Sequence, residues 1–427
     1  MNYPVWQLDF AGGGLLIALI ATLHVYISHF AIGGGLFLVL TEHKGLRENS
    51  PSILGYVYKH TRLFVLLTMV LGALTGVGIW FTISVLNPAA TSKLIHLFVF
   101  AWATEWVFFL VEIISLFIYY KTFNRISNRT HLTIGWIYFA AAFLSLFVIN
   151  GIVGFMLTPG EWLITGNFWH GFFHPTFWPS LFFRFFLAIM LAGLFGFLTA
   201  SWSKDDALRT TLVRYCAKWL LAPFVLFLTS AWWYKSALPP DMHELIFKNM
   251  PDIQPVIKIF IVCSPLIILG GLGMAIKMPA NINRGLAAVM LVLGLFYLGS
   301  FEFIRESGRR PYIIHNFMYS NTILKTEIDA VKDAGILHTA KWVDTREIKD
   351  ENMSKTGRQV FDLLCLSCHS VGGPFNNITS LTQGMKPKGM TFIYESMGNK
   401  RAYMPPFIAT AKEAEALTHF IFSDLER

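Results

Sequence analysis

The sequence predicts an all-α fold, in which a polytopic bundle of about eight transmembrane helices precedes a small all-α domain at the C-terminus. The 427-residue chain is 54% hydrophobic and only 14% charged, whereas a soluble globular protein carries roughly 25% charged residues. Its apolar runs reach the ~20 residues that a helix needs to cross a bilayer. A Cys-x-x-Cys-His motif stands near the C-terminus, in a stretch too polar to span a membrane.

Eight apolar runs are the predicted spanning helices, at residues 13–40, 62–86, 94–120, 132–157, 177–202, 212–235, 256–277 and 284–304. Lys and Arg are frequent in the odd-numbered loops and rare in the even-numbered ones. The odd loops hold Lys44, Arg47, Lys59, Arg62, Lys121, Arg125, Arg129, Lys204, Arg209, Lys277 and Arg284, and the even loops hold Lys93, Lys235 and Lys248. Because cytoplasmic loops carry an excess of Lys and Arg, both termini are expected outside.

This topology predicts a multi-pass protein of the bacterial inner membrane with its C-terminal domain in the periplasm. It also accounts for the net charge of +8 without a nucleic-acid partner, since the basic residues lie where membrane topology requires them.

The segment Cys365-Leu-Ser-Cys368-His369 is typical of covalent haem attachment. Two thiols at this spacing bond the vinyl groups of one haem c, and the adjacent histidine ligates the iron. A zinc site or a redox disulfide also uses Cys-x-x-Cys. Zinc needs further ligands of the same kind, and a thioredoxin-like motif stands in a βαβ pattern. The sequence shows neither, and Cys216 and Cys263 are expected to be buried thiols in apolar helices.

Met404 is the predicted sixth iron ligand. It follows His369 by thirty-five residues and precedes two prolines, so the chain presents it from a stiff, extended segment. Met385, Met390 and Met397 are alternative candidates.

Residues 353–427 resemble a class I cytochrome c, on the Cys-x-x-Cys-His motif and the Met-Pro-Pro segment. The resemblance implies one covalent haem c with His–Met ligation. We therefore divide the chain into a bundle at 1–311, a polar connector at 312–352 and a cytochrome domain at 353–427.

Ionisable residues within the apolar helices are candidate functional groups, because charge is costly in a bilayer. His24 lies in the first helix, and Glu105 and Glu112 stand seven residues apart on one stripe of the third. Neutral His or ionised Glu would supply axial ligands to buried haems, and arginines would pair with haem propionates. The remaining candidates gather at the outer end of the bundle: His170 and His174, an i,i+4 pair if helical, and Glu302, Arg305, Glu306, Arg309 and Arg310.

Residues 1 to about 315 resemble subunit I of the cytochrome bd oxidases. Three segments carry the resemblance: His24 to Gly33, the Glu105/Glu112 pair, and Glu306-Ser-Gly-Arg-Arg-Pro-Tyr312, which is similar to the family's Glu-x-Gly-Arg-Gln-Pro-Trp. The resemblance implies haem b, haem d or both in the membrane, with His24 and Glu306 as ligands of a high-spin haem pair. It also implies that Glu105 and Glu112 form the acidic pair beside the oxygen-reducing haem.

The chain also departs from that family. The ligands of its low-spin haem are missing, since the fifth and seventh helices read Leu181-Phe-Phe-Arg-Phe185 and Lys258-Ile-Phe-Ile261. The long quinol-binding loop is absent, Glu302 stands where the family has Trp, and the cytochrome domain replaces the ninth helix. A chain that does not oxidise quinol has no use for the quinol loop or its haem, so the hypothesis is that electrons enter through haem c.

The sequence therefore predicts a terminal oxidoreductase that takes electrons from a periplasmic carrier through haem c to membrane haems, where oxygen is reduced without a quinol site. Glu105 and Glu112 would carry protons to that site. The expected partners are the lipid bilayer, the periplasmic carrier, and a subunit II-like chain or a second copy of this chain. The alternative is a non-catalytic relay or anchor subunit of a larger respiratory complex, in which His170 and His174 complete six-coordinate haems.

Two further expectations concern packing. Gly33-Gly-Gly35 is expected to let helices approach closely. His60 and His131 lie at the predicted cytoplasmic edge, where they are expected to be solvated.

Overall fold

The computed structural model describes residues 3–248, 253–276, 284–320, 322–374, 376–398 and 404–425, and Lys277 lies outside them. Most of the described residues are helical, and they include no named strand. Met318 and Leu324 form an isolated β-bridge. Eight helices are long and apolar enough to cross a membrane, which confirms the predicted fold class: α1 Gly12–Arg47, α2 Pro51–Leu86, α3 Val99–Lys121, α4 Asn128–Phe155, α5 Phe177–Ala200, α6 Asp206–Ser236, α7 Ile253–Ile276 and α8 Arg284–Arg309.

The helices alternate in direction. We call the end of the bundle near Gly12, Phe177 and Arg309 the upper end, and the end near Arg47, Lys121 and Ala200 the lower end. Between them, α2 contains a π-helical turn at Leu66–Gly72, and α6 is interrupted by Pro223 between Asp206–Leu221 and Phe224–Ser236.

The helices extend further at the lower end than the hydropathy predicted. α1 continues to Arg47 instead of ending at residue 40. α2 begins at Pro51 instead of residue 62, and the Ser50 side chain caps it by accepting from the Ile53 N–H at 3.4 Å. Residues 51–61 are amphipathic, so a search for continuous apolar runs does not detect this part of the helix.

Three consecutive glycines of α1 each face a different helix, as the sequence predicted. A Cβ at Gly33 would lie 1.9 Å from the Ala188 carbonyl oxygen on α5, and one at Gly35 would lie 2.4 Å from the Tyr138 ring on α4. At Gly34 the Phe64 ring of α2 is 2.5 Å from that position. α1 is therefore the central helix, and its glycines set how closely three neighbours approach it.

The region after α8 packs against two different cores. Tyr312, Ile314 and Met318 belong to the core of the bundle. Tyr319 and residues beyond it pack with the helix Met353–Leu364 and the helix Ala411–His419. The backbone N–H of Leu337 donates to Glu413 at 2.8 Å. The predicted boundary at residue 353 stays a prediction, but the hydrophobic core of the C-terminal region already includes Tyr319.

Candidate functional site

The Cys-x-x-Cys-His segment forms a tight turn after the helix Met353–Leu364. The N–H groups of Cys368 and His369 both donate to the Cys365 carbonyl, at 3.0 and 2.8 Å, which brings the two free thiols and the imidazole to one place. His369 Nδ1 donates to the Asn376 carbonyl at 2.9 Å. Because the Nδ1 proton is held there, Nε2 is the nitrogen that iron would take.

The two thiols are not activated as those of a redox disulfide would be. Burial raises the pKa of Cys365 to about 12, with Cys368 and Asp362 adding to the shift. Burial also raises the pKa of Cys368, against the Ser367 hydroxyl and the Arg310 charge. A catalytic Cys-x-x-Cys needs a lowered thiol pKa. Among the described residues no group of three His, Cys, Asp or Glu side chains is arranged to hold a metal ion.

Met404 is half-buried. Pro406, two residues on, accepts a hydrogen bond from the Tyr319 hydroxyl. Of the alternative ligands, Met390 is 4% exposed and packs in the hydrophobic core. Tyr403, which precedes Met404, lies outside the described residues.

The turn at Cys365–His369, which we call the attachment turn after the haem attachment that its sequence predicts, lies directly on the N-terminus of α1. The Val371 N–H donates to the Asp9 carbonyl at 2.7 Å. A Cβ at Gly12, where φ is +58°, would be 3.6 Å from the His369 carbonyl oxygen, and one at Gly373 would be 1.7 Å from that of Phe10. Arg358 pairs with the Asp9 carboxylate and also with Asp362. The turn is thus held by backbone contacts and by an ion pair.

A buried ionic cluster lies at the upper end of α8. The Arg305 guanidinium is 2.5 Å from Glu302 and 2.7 Å from Glu306, and Arg309 is 3.0 Å from Glu306. Arg184 of α5 is buried within electrostatic range of Arg305 and Glu302. Four buried polar atoms of the cluster have no hydrogen-bond partner among the described residues: Arg184 Nε, Glu302 Oε1, Glu306 Oε2 and Arg309 Nε.

A cavity of about 420 Å³ opens beside this cluster, between α1, α7 and α8. Its walls are mostly apolar, with small residues such as Gly14, Ala18 and Gly299, and Glu306 and Arg310 supply its charges. The volume falls within the ~300–1,000 Å³ of cofactor sites. An unpartnered carboxylate oxygen on Glu306, a nearby guanidinium and an apolar wall are the features that an axial ligand, a propionate and a porphyrin face require.

His24 lies on a different face of α1 from this cavity. Its Nδ1 is 3.0 Å from the Thr75 hydroxyl of α2, and its Cε1 lies 3.3 Å from the position of a Cβ at Gly76. The π-helical turn ends just before these two residues. Because His24 and Glu306 face opposite sides of α1, they fit two separate haems and not two ligands of one iron.

Glu105 and Glu112 belong to a longer polar stripe that crosses the bundle. Ser145 of α4 donates to Glu105 at 3.0 Å, and Glu112 acts electrostatically on Tyr138, seven residues before Ser145. Seven residues nearer the lower end of each helix, His131 Nε2 on α4 donates to the Tyr119 carbonyl on α3 at 2.8 Å. We call these residues the polar ladder: Glu105, Glu112 and Tyr119 on α3, and Ser145, Tyr138 and His131 on α4.

The lower end of the polar ladder contains a buried carboxylate that the sequence did not suggest. Glu42 accepts from the Tyr119 hydroxyl at 2.7 Å and lies 2.7 Å from His131 Nδ1. Both nitrogens of the His131 ring therefore have a partner, the Tyr119 carbonyl at Nε2 and the Glu42 carboxyl group at Nδ1. His131 is 4% exposed and His60 is 1% exposed. The expectation that they are solvated is wrong, because the longer helix ends enclose them.

His170 and His174 are not i,i+4 neighbours on one helix, which was the condition for their pairing. The helix Phe168–Phe172 ends before His174, because the residue before Pro175 is driven out of helical geometry. His170 is 2.9 Å from the Thr165 hydroxyl. His174 is 2% exposed among Thr158, Thr176 and Asn150, and burial lowers its pKa to about 4.

Sequence reasoning missed Arg184, Glu42 and Tyr319 as site residues. Arg184 is the one charged residue in an apolar helix, and a charge within the membrane is by itself reason to consider a residue as a candidate site residue. Glu42 lies beyond the predicted end of the first helix, and nothing in the sequence links Tyr319 to Pro406.

Comparison with solved structures shows a fold similar to that of the bd oxidase from Geobacillus thermodenitrificans. The two share 16% sequence identity with a TM-score of 0.62, over 76% of this chain and 94% of that chain. No protein-family model and no curated protein matches this sequence. A match of this extent must include most of the bundle, so the membrane region has a bd oxidase-like fold.

Proposed function

We propose, from this bd oxidase-like fold, that the chain is a terminal oxidase subunit of the bacterial inner membrane whose electrons enter through a covalent haem c. A periplasmic carrier would reduce haem c at Cys365, Cys368, His369 and Met404. Electrons would pass to haem b or haem d in the bundle, where oxygen is reduced without a quinol site.

The contact between the attachment turn and the cavity carries this proposal. The His369 main chain lies on Gly12, and Arg310 is near enough to act electrostatically on the Cys368 thiol. Arg310 also lines the cavity that contains Glu306, and a Cβ at Gly14 would be 3.1 Å from its Cδ. A haem bonded to Cys368 and one bound at Glu306 would therefore be neighbours, which suits direct electron transfer.

The membrane residues fit their proposed roles. Bound haem would supply the redox chemistry and the oxygen-binding iron. Glu306 would present its unpartnered oxygen to one iron while Arg305 and Arg309 hold its other oxygen. Thr75 would orient the His24 ring toward a second iron by holding Nδ1. Arg309 and Arg310 would pair with propionates.

The polar ladder supports proton delivery from the lower end. Glu42 and His131 are in hydrogen-bond contact there, and the polar groups recur every seven residues toward Glu105. Side chains at this spacing lie on one stripe of a helix, two turns apart. Protons moving along the polar ladder would approach the haem region from the side opposite haem c.

One face of α2 is left for lipid or a partner subunit. The central apolar part of this helix is almost entirely unburied within the chain, with exposed Leu66, Val70, Leu74, Val77 and Phe81. A subunit II-like chain, or a second copy of this chain, would bury that face.

A non-catalytic relay subunit is the second candidate. The double ion pair on Glu306 favours it, because a carboxylate held by two guanidinium groups has less charge to offer iron. Carbon monoxide separates the two candidates, since it binds five-coordinate haem in the oxidase and leaves a closed relay unchanged.

Haem extraction from the purified protein tests the proposal. Acid–acetone removes non-covalent haem and leaves haem c on the polypeptide. We expect one haem c together with extractable haem b or d, and a spectral shift of the latter under carbon monoxide. Haem c alone would reduce the bundle to a membrane anchor, and the absence of haem c would remove the proposed electron entry.

Replacing Glu112 with Gln is expected to slow oxygen consumption by ~10²-fold with the haem spectrum unchanged, because a group that transfers protons contributes about that factor. The measurement is turnover with an artificial reductant of haem c in an oxygen electrode. Glu48→Gln is the control, since that carboxylate is partly exposed beside Lys44 at the lower end. Wild-type turnover in Glu112→Gln would exclude the proton role.

A further inference from the structure

We infer that Tyr319, which lies outside the predicted cytochrome domain, is a positioning residue of the haem c pocket, where its hydroxyl holds the segment that presents Met404. The inference rests on the proposed haem c site. It adds a residue that neither the attachment motif nor the bd oxidase-like fold assigns.

Tyr319 lies between the attachment turn and the Met404 segment. Its side chain is 6% exposed, and its hydroxyl donates to the Pro406 carbonyl. The Cys365 and Cys368 thiols are near enough to act electrostatically on the hydroxyl. The Tyr319 hydroxyl therefore contacts the segment that follows Met404 and lies within electrostatic range of the two thiols.

The Pro406 carbonyl is the group through which this segment can be anchored. Pro405 and Pro406 have no N–H to donate, so hydrogen bonds to them must be accepted by carbonyl oxygens. Gly398, where φ is +81°, places its backbone against the Pro406 ring, with the position of a Cβ 2.8 Å from Cγ. Packing thus fixes one side of Pro406, and the Tyr319 hydroxyl fixes its carbonyl.

Tyr319 itself is fixed by the membrane bundle. The preceding residue, Met318, is 2% exposed in the bundle core, while Tyr319 belongs to the core of the C-terminal region. Two backbone hydrogen bonds hold this stretch: the Tyr319 N–H donates to the Ile323 carbonyl at 2.8 Å, and the Lys325 N–H donates to the Phe317 carbonyl at 3.1 Å. Phe317 packs edge-on against Trp162, with ring centroids 5.2 Å apart. The segment carrying Met404 is therefore anchored to the bundle that would receive the electron.

This arrangement predicts that the Tyr319 hydroxyl stabilises Met ligation. Without it, the Pro406 carbonyl would lose this hydrogen bond, and the segment would be freer to move away from iron. Methionine ligation raises the reduction potential of haem c. Weaker ligation would lower the midpoint potential and the pH at which methionine leaves the ferric iron.

Tyr319→Phe in the full-length protein is the test, and Tyr56→Phe is its matched control. Tyr56 is also 6% exposed, and its hydroxyl donates to the Gly196 carbonyl at 3.2 Å, within the bundle. The readouts are covalent haem content, the far-red methionine-to-iron band during a pH titration, and the midpoint potential of haem c. Tyr319→Phe is expected to attach haem normally and to raise the methionine-free fraction about five- to tenfold, as for one lost hydrogen bond. Tyr56→Phe should match the wild type.

An unchanged band, titration and potential in Tyr319→Phe with haem c attached would overturn the inference and leave the proposed function intact. Absence of covalent haem from the wild type would overturn both. Should Tyr319→Phe fail to accumulate, Ile323→Ala loosens the turn behind the ring, and it must then lower the pH of methionine release; an unchanged value would overturn the inference.

Discussion

Replacing both Cys365 and Cys368 with Ser is expected to abolish oxygen consumption driven by a soluble electron donor, while the haems of the bundle remain. Serine hydroxyls cannot form the thioether bonds, so haem c would be lost. The loss would be confined to the C-terminal region, because the cavity at Glu306 is formed by residues of α1, α7 and α8 and by Arg310. Oxygen uptake measures the donor-driven turnover. A haem stain of the denatured polypeptide measures haem c, and the spectrum of extractable haem measures the haems of the bundle.

The matched control is Cys263→Ser, a buried thiol of α7. It should keep haem c and most of the donor-driven turnover. Donor oxidation at the wild-type rate by the Cys365/Cys368 double variant would contradict electron entry through haem c, and direct oxidation of quinol by the same variant would identify another entry.

Replacing Arg305 with Met is expected to destabilise the bundle by ~3–5 kcal/mol, the cost of removing one partner from a buried ion pair. The Arg305 side chain is 8% exposed and lies 2.5 Å from Glu302 and 2.7 Å from Glu306. Without its charge, Glu302 would lie buried with one oxygen already unpartnered. Thermal unfolding in detergent, followed by circular dichroism, measures the loss.

An exposed ion pair provides the comparison. Lys44→Met breaks the pair with Glu48, whose side chain is 39% exposed, and such pairs contribute only ~0–1 kcal/mol. The double variant Arg305→Met/Glu302→Gln should recover part of the stability, since it also removes the unpaired charge. Equal destabilisation by Arg305→Met and Lys44→Met would show that the cluster at α8 is hydrated.

Sequence reasoning was most successful where the signal is local. The close approach at Gly33 and Gly35 follows from three adjacent small residues. For His170 and His174, sequence reasoning left the helix open as a condition, and the condition is not met because Pro175 drives the residue before it out of helical geometry. It was wrong for His60 and His131, because helix ends outside the hydrocarbon are amphipathic and do not register as apolar runs.

By itself, the sequence determined that eight helices are long and apolar enough to cross a membrane, and it placed the Cys-x-x-Cys-His turn in the polar region that follows them. Both depend on residues close together in the chain, whose hydropathy and spacing are visible without a fold. Only the tertiary structure decided that Arg184 lies within electrostatic range of Glu302, that Glu42 contacts His131 and that the Tyr319 hydroxyl donates to Pro406. Each of these pairs consists of residues far apart in the chain, and only the packing of the helices brings such residues together.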